Sequence, residues 1–179
     1  MLIRPATISR LRAASWLPAA AARFEQRGHR VLADDVAVIE IEDEPRVRTV
    51  TASLKLWRDT FDVLGLALPA SAPVRRSQER YWRAPQPEQT HGGHSSVSLR
   101  AIFLLSNEAE QTRALPPGKA AMALSDRVTA GPFAAIGDTR ALTRTAHQLA
   151  QHVPVVPVRR PSSFAELDAW LDTLEERSR

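Results

Sequence analysis

An α/β fold, a mixed sheet flanked by helices, is what the sequence predicts, and two observations lead there. Apolar, β-branched runs such as "RVLADDVAVIEIE" and "SVSLRAIFLLS" have strand character, whereas "SWLPAAAARFEQR", "DTRALTRTAHQLAQHV" and "SSFAELDAWLDTLEE" space their apolar residues for helices. The 179 residues, 44% hydrophobic and 25% charged, suit one globular domain spanning 1–179 with a real core.

The first helix runs from Ser15 to Arg27: helix formers dominate, Pro18 is tolerable in a first turn, and Gly28 stands where a helix would stop. Next come strand, acidic step and strand. Val36, Val38, Ile39 and Ile41 run with Glu40 and Glu42, and "DEP" turns the chain into a further strand, "RVRTVT". From Leu54 to Leu64, Leu56, Trp57, Phe61 and Leu64 share one helical face, with Ser53 as a cap and Gly65 as a stop, so a second helix is expected.

"ALPASAPVRRSQ" and "RAPQPEQTHGGHSS" are rich in breakers and read as loops around a short strand at "ERYWR". "SVSLRAIFLLS" is a strongly apolar strand and "QTRAL" a weaker one, followed after two prolines by a helix from Lys119 to Val128. Asp138 caps a helix whose Leu142, Ala146, Leu149 and Ala150 form a core face. "VPVVPV" suits an edge strand, since proline cannot donate to a ladder. Ser163 and Glu166 have capping-box spacing ahead of a last helix, whose buried stripe is Phe164, Leu167, Trp170, Leu171 and Leu174.

Twenty-four basic against 20 acidic residues give a formal charge of +4, which favours anionic partners. The basic residues are scattered and aromatics are few, so phosphate is expected and nucleic acid is not. The lack of cysteine excludes disulfides, thiolate catalysis and zinc-cysteine sites. No run has membrane-spanning length and the basic, alanine-rich start has no signal-peptide core, so a cytoplasmic protein with no membrane partner is expected.

Asp34 and Asp35 are the residues that ask for an explanation. A carboxylate buried without a partner costs several kcal/mol, roughly, so neighbouring acids belong at a strand end where a cation or substrate meets them. There, one can hold magnesium and the other can accept a hydroxyl proton. The same pair also fits a turn, capping backbone amides.

Other candidates have plainer readings. His91 and His94 in "HGGH" could share a metal but lie in a flexible loop with no third ligand nearby. His29 could contact phosphate or simply follow a helix end, and His147 and His152 read as surface. Arg75, Arg76, Arg80 and Arg83 form the densest basic cluster, suited to an anionic peptide or phosphate or to a solvated loop. Ser95, Ser96 and Ser125 lack a triad pattern.

"RGHRVLADDVAVIE", with "LKLWRDTFDVLGL" and "VPVVPVRRPSSFAELDAWLDTL", resembles the carboxyl-terminal kinase domain of HPr kinase/phosphorylase and its smaller serine-kinase relatives, from about Arg27 onward. The resemblance implies a core like that of phosphoenolpyruvate carboxykinase. It implies phosphoryl transfer from ATP to a serine of a protein or peptide, with Asp34 as the base, Asp35 as a Mg2+ contact, and a possible homo-oligomer. The family's glycine-rich loop would fall near Trp16, Leu17, Pro18 and Ala19, and none of these matches Gly-Lys-Ser-Thr. Residues 1–26 are thus a divergent or truncated P-loop region, and any ATP site is incomplete. Two expectations stay open: an impaired serine-kinase homologue, by natural divergence or by a start-site or frame error, and a non-catalytic module binding a protein or peptide on the same scaffold.

Overall fold

The computed structural model describes residues 2–3, 16–34, 36–49, 53–84, 96–106, 113–129 and 138–178. In chain order they form β1 (Leu2–Ile3), α1 (Trp16–Gln26), β2 (Val38–Ile41), β3 (Pro45–Arg48), β4 (Leu54–Trp57), α2 (Arg58–Leu64) and β5 (Arg80–Arg83). There follow β6 (Ser96–Ser98), β7 (Ile102–Ser106), α3 (Pro117–Thr129), α4 (Thr139–His152), β8 (Val155–Arg159), a 3-10 turn (Phe164–Glu166) and α5 (Leu167–Arg177). The fold is mixed α/β, as expected. Among the described residues the strands divide into a parallel sheet β1-β7-β8, an antiparallel sheet β2-β3-β6 and a β4-β5 hairpin.

The parallel sheet organises the core. Strands β7 and β8 pair from Ile102 opposite Val155 to Ser106 opposite Arg159, and α3 and α4 form the crossover between them. Successive residues point to opposite faces, and both faces are covered. Phe103, Leu105, Val156 and Val158 pack with α1, β4, α2 and α5, through residues that include Ala20, Leu56, Phe61 and Leu171. Ile102, Leu104 and Val155 pack with α3 and α4, through Ala120, Leu124, Ala146 and Leu149. Burial on both sides is why "IFLL" is apolar without alternation, and the fully buried Ile102 contributes roughly 1.5–3 kcal/mol. Among the described residues β8 is an edge, which accommodates Pro157 opposite Leu104.

Helix boundaries follow local chemistry. Gly28 (φ +90°) ends α1: its amide donates to Glu25 O (3.0 Å) and that of His29 to Phe24 O (3.0 Å). Gly65 (φ +63°) closes α2 in the same way, with Gly65 N bonded to Asp62 O (3.3 Å) and Leu66 N to Phe61 O (2.8 Å). Asp138 caps α4, its Oδ1 accepting from the Arg140 amide at 2.9 Å. Leu167, Leu171 and Leu174 are buried along α5, the expected stripe, while Phe164 and Trp170 are half-buried beside them. The capping box before α5 is displaced by one residue. Glu166 accepts from the Ser162 amide (2.9 Å) and hydroxyl (2.6 Å), because a 3-10 turn intervenes, and Ser163 reaches it at only 3.4 Å.

Several expected elements differ. Leu54–Trp57 is a strand, and only Arg58–Leu64 is helical, because Leu54 and Leu56 alternate into the core while the chain pairs with β5. "SVSLRAIFLLS" splits into β6 and β7, which join different sheets; the Leu99 amide turns to Pro45 O (2.8 Å) at the break. Residues 113–115 of "QTRAL" form no strand, and Leu115 N makes a single bond to Val155 O (2.8 Å). Residues 30–33, expected as the strand leading to the acidic step, are loop.

Arginine pairs fasten α5 to α1. Arg23 grips Asp168 with two parallel bonds, Nε to Oδ1 and Nη2 to Oδ2, each 2.8 Å. Arg27 reaches Asp168 Oδ1 (2.9 Å), Asp172 (2.7 Å) and Glu175 (3.3 Å). Hydrogen bonding from Arg23, then Arg27, lowers the Asp168 carboxyl from 3.8 to about 2. No helix of the described residues is long and apolar enough to cross a membrane.

Candidate functional site

Ligands in parallel α/β sheets bind beyond the carboxyl ends of the strands, and a cavity opens there. Strand β8 ends at Arg159, and Arg160, Pro161 and Ser162 lead the chain away; with Trp16, the first residue of α1, these four line a space of about 300 Å³. Backbone contacts hold the lining in place. The Arg160 amide donates to Ser106 O at the end of β7 (3.1 Å), and Trp170 Nε1 donates to Arg159 O (2.8 Å). The Trp16 ring lies against Phe164, with centroids 4.5 Å apart at 38°. Among the described residues, neither the Arg159 nor the Arg160 guanidinium is within ion-pair distance of a carboxylate. Glu166 stands nearby, held below the usual carboxylate range chiefly by the Ser162 hydroxyl. The lining can receive a compact anion.

Asp34 lies elsewhere. It is half-buried in the loop between α1 and β2, and its Oδ2 accepts from the Lys55 backbone amide at 3.2 Å. Strand β4 spends one edge on β5, so on its other edge an aspartate satisfies an amide that a neighbouring strand would otherwise have met. Residues 30–33, directly before Asp34, are loop and not the expected strand, and the described lining of the cavity does not include Asp34. Asp35, the expected Mg2+ contact, lies outside the described residues. Among the described residues no three acidic or histidine side chains gather as a metal-binding group.

The start of α1 does not fit ATP. Trp16, Leu17, Pro18 and Ala19 open the helix without a lysine or hydroxyl, and Pro18 has no amide to offer a phosphate. A triphosphate cradle needs both.

The remaining candidates resolve separately. His29 Nε2 meets Glu175 Oε1 at 3.0 Å and its ring meets Phe24 edge-on, which makes it part of the α1 terminus. His147 and His152 are exposed, each with Nδ1 against a carbonyl one turn back (Thr143 O at 3.0 Å and Gln148 O at 2.8 Å). His91, His94 and Ser95 lie outside the described residues; Ser96 accepts from Arg46 Nε (2.9 Å), and Ser125 is half-buried on α3. The arginine cluster divides: Arg75 and Arg76 are exposed in a turn and Arg80 lies over the Trp57 ring, whereas Arg83 turns inward to Glu25. That last pair was invisible in the sequence. Glu25 occupies a helix position indistinguishable from a surface one, and only the packing of α1 on the hairpin buries it.

A scan against protein-family models found no match to the chain, and searches of curated proteins and of solved structures matched nothing either.

Proposed function

We propose that the chain is an impaired homologue of the HPr kinase-like serine kinases, one that binds an anionic group of a protein or peptide without transferring phosphate to it. The observation that carries this reading is the cavity at the end of β8: two arginines line it, but the adjoining helix opens with Trp16, Leu17 and Pro18. Arginine forks suit a phosphate or carboxylate, while an indole and a proline cannot hold the β- and γ-phosphates of ATP. A parallel sheet covered by helices on both faces supports a nucleotide-type ancestry, and Asp34 is what the lineage would use as base. Its bond to the Lys55 amide favours a structural duty in this chain. The reading puts the protein in the cytoplasm.

Calorimetry together with Trp16 fluorescence tests it. Phosphoserine should bind, and Arg160→Gln should weaken that binding about tenfold, the worth of one charge-assisted contact. ATP with Mg2+ should give no saturation at millimolar concentration and no labelled phosphate on any serine acceptor. Nucleotide saturation with transfer that Asp34→Asn abolishes would overturn the reading in favour of a working kinase.

A further inference from the structure

The β4-β5 hairpin carries a second surface, which stands on its own register and not on the kinase lineage. Leu54 and Leu56 point into the core, so Lys55 and Trp57 point the other way; their partners across the hairpin are Trp82 and Arg80. The outward face thus alternates cation and indole in both directions. Lys55 Nζ sits 4.9 Å from the Trp82 ring centroid, and the Arg80 guanidinium carbon sits 5.7 Å from that of Trp57. Trp82 is 46% exposed, a large apolar ring left in water.

Among the described residues two donors on this face lack acceptors. Trp57 Nε1 and Arg80 Nε, from one cross-strand pair, are enclosed without a hydrogen-bond partner. Buried donors of this kind are costly to leave unanswered. More positive charge stands beside them. The turn before β5 holds exposed Arg75 and Arg76, folded back by a bridge between Arg75 and Gln78 and by the Val74 amide on Arg80 O (2.7 Å). Glu79, in the same turn, lies 3.8 Å from the Arg58 guanidinium.

We infer that this face docks an acidic peptide in extended conformation, its carboxylates meeting Arg80 and the Arg75–Arg76 turn while its backbone lies along Trp82. Side chains two apart on an extended chain are spaced as the hairpin spaces its own outward residues, so one carboxylate per cation is geometrically natural. Single-stranded nucleic acid is the poorer occupant. It needs open ring faces in series, and here each indole already has a cation over one face.

The test uses a fluorescein-labelled decapeptide, (Glu-Ser)5, read by anisotropy and by tryptophan emission on the full chain, beside (Gln-Ser)5 and a thymidine 15-mer. The acidic peptide should bind saturably, and binding should weaken about tenfold in Arg75→Glu/Arg76→Glu and as salt rises from about 50 to about 300 mM. Trp82→Ala should weaken it about fivefold, with thermal unfolding recorded to show that each variant folds. Equal binding of (Gln-Ser)5, tighter binding of the thymidine 15-mer, no binding at millimolar peptide, or indifference of folded variants would each overturn the assignment. None of these readouts involves Arg160 or nucleotide, so this surface and the β8 cavity fail or survive separately.

Discussion

Replacing Glu25 by glutamine should destabilise the chain far more than a change of one charged atom on a helix normally does. The Glu25 side chain is fully buried and that of Arg83 is 14% exposed, so both charges left water to meet on the inner side of the β4-β5 hairpin. Burial pushes the Arg83 guanidinium down from its ordinary value, yet arginine keeps its proton in proteins, so Glu25→Gln strands a charge where nothing neutralises it. Breaking such a pair costs about 3–5 kcal/mol, against a total stability of about 5–15 kcal/mol for an ordinary domain. For a chain of this size the melting temperature should fall by roughly 6–20 °C. The double replacement Glu25→Leu/Arg83→Met removes both charges and keeps the volume, and it should recover to within about 1 kcal/mol of the parent or exceed it. Urea unfolding followed by tryptophan fluorescence of the parent, Glu25→Leu, Arg83→Met and the double variant measures all four corners of this cycle. A loss under about 1 kcal/mol in either single variant, or a double variant as unstable as the sum of the two, would refute the argument that a desolvated pair couples α1 to the hairpin.

Two further outcomes follow from the same geometry. Asp168 has its folded pKa lowered to about 2, so its stabilisation is present in full above its unfolded value near 3.8 and disappears as pH falls through about 2. Its side chain is 52% exposed, so solvent screening limits the effect to about 0.5–1 kcal/mol. Asp168→Asn should lose that amount at neutral pH and flatten acid unfolding between about pH 4 and 2; an acid profile superimposable on the parent's would count against the Arg23 clamp. Gly65→Ala meets open space but must hold φ near +63°, so strain alone should cost about 1–2 kcal/mol, seen as a lower urea midpoint at unchanged slope. A neutral result would mean that the α2 terminus re-forms without the left-handed residue.

Local chemistry made much of the fold legible. Gly28, Gly65 and Asp138 announced helix ends because left-handed backbone and side-chain capping are decided within a few residues. The stripe of α5 and the proline-bearing edge strand were legible for the same reason: burial on one face leaves a period, and a missing amide limits where a residue can pair. Errors began where the partner decided the state. "LKLW" fits a helical face and a strand equally well over four residues, and only β5 alongside makes it a strand. "SVSLRAIFLLS" is one apolar run whose halves join different sheets, a choice fixed by neighbours distant in sequence.

The candidate sites divide along the same line. Residue type alone showed that Trp16, Leu17, Pro18 and Ala19 cannot cradle a triphosphate, since the missing lysine and amide are properties of those residues wherever they sit. Tertiary structure alone decided that Asp34 meets the Lys55 amide, that Arg83 turns inward to Glu25 while Arg80 turns outward, and that Arg159 and Arg160 stand beside Trp16. Capping, breaking and periodicity are settled between residues a few positions apart, and the sequence by itself determined them. Which charge is buried, and what it faces, depends on surfaces that come together only when the chain closes on itself.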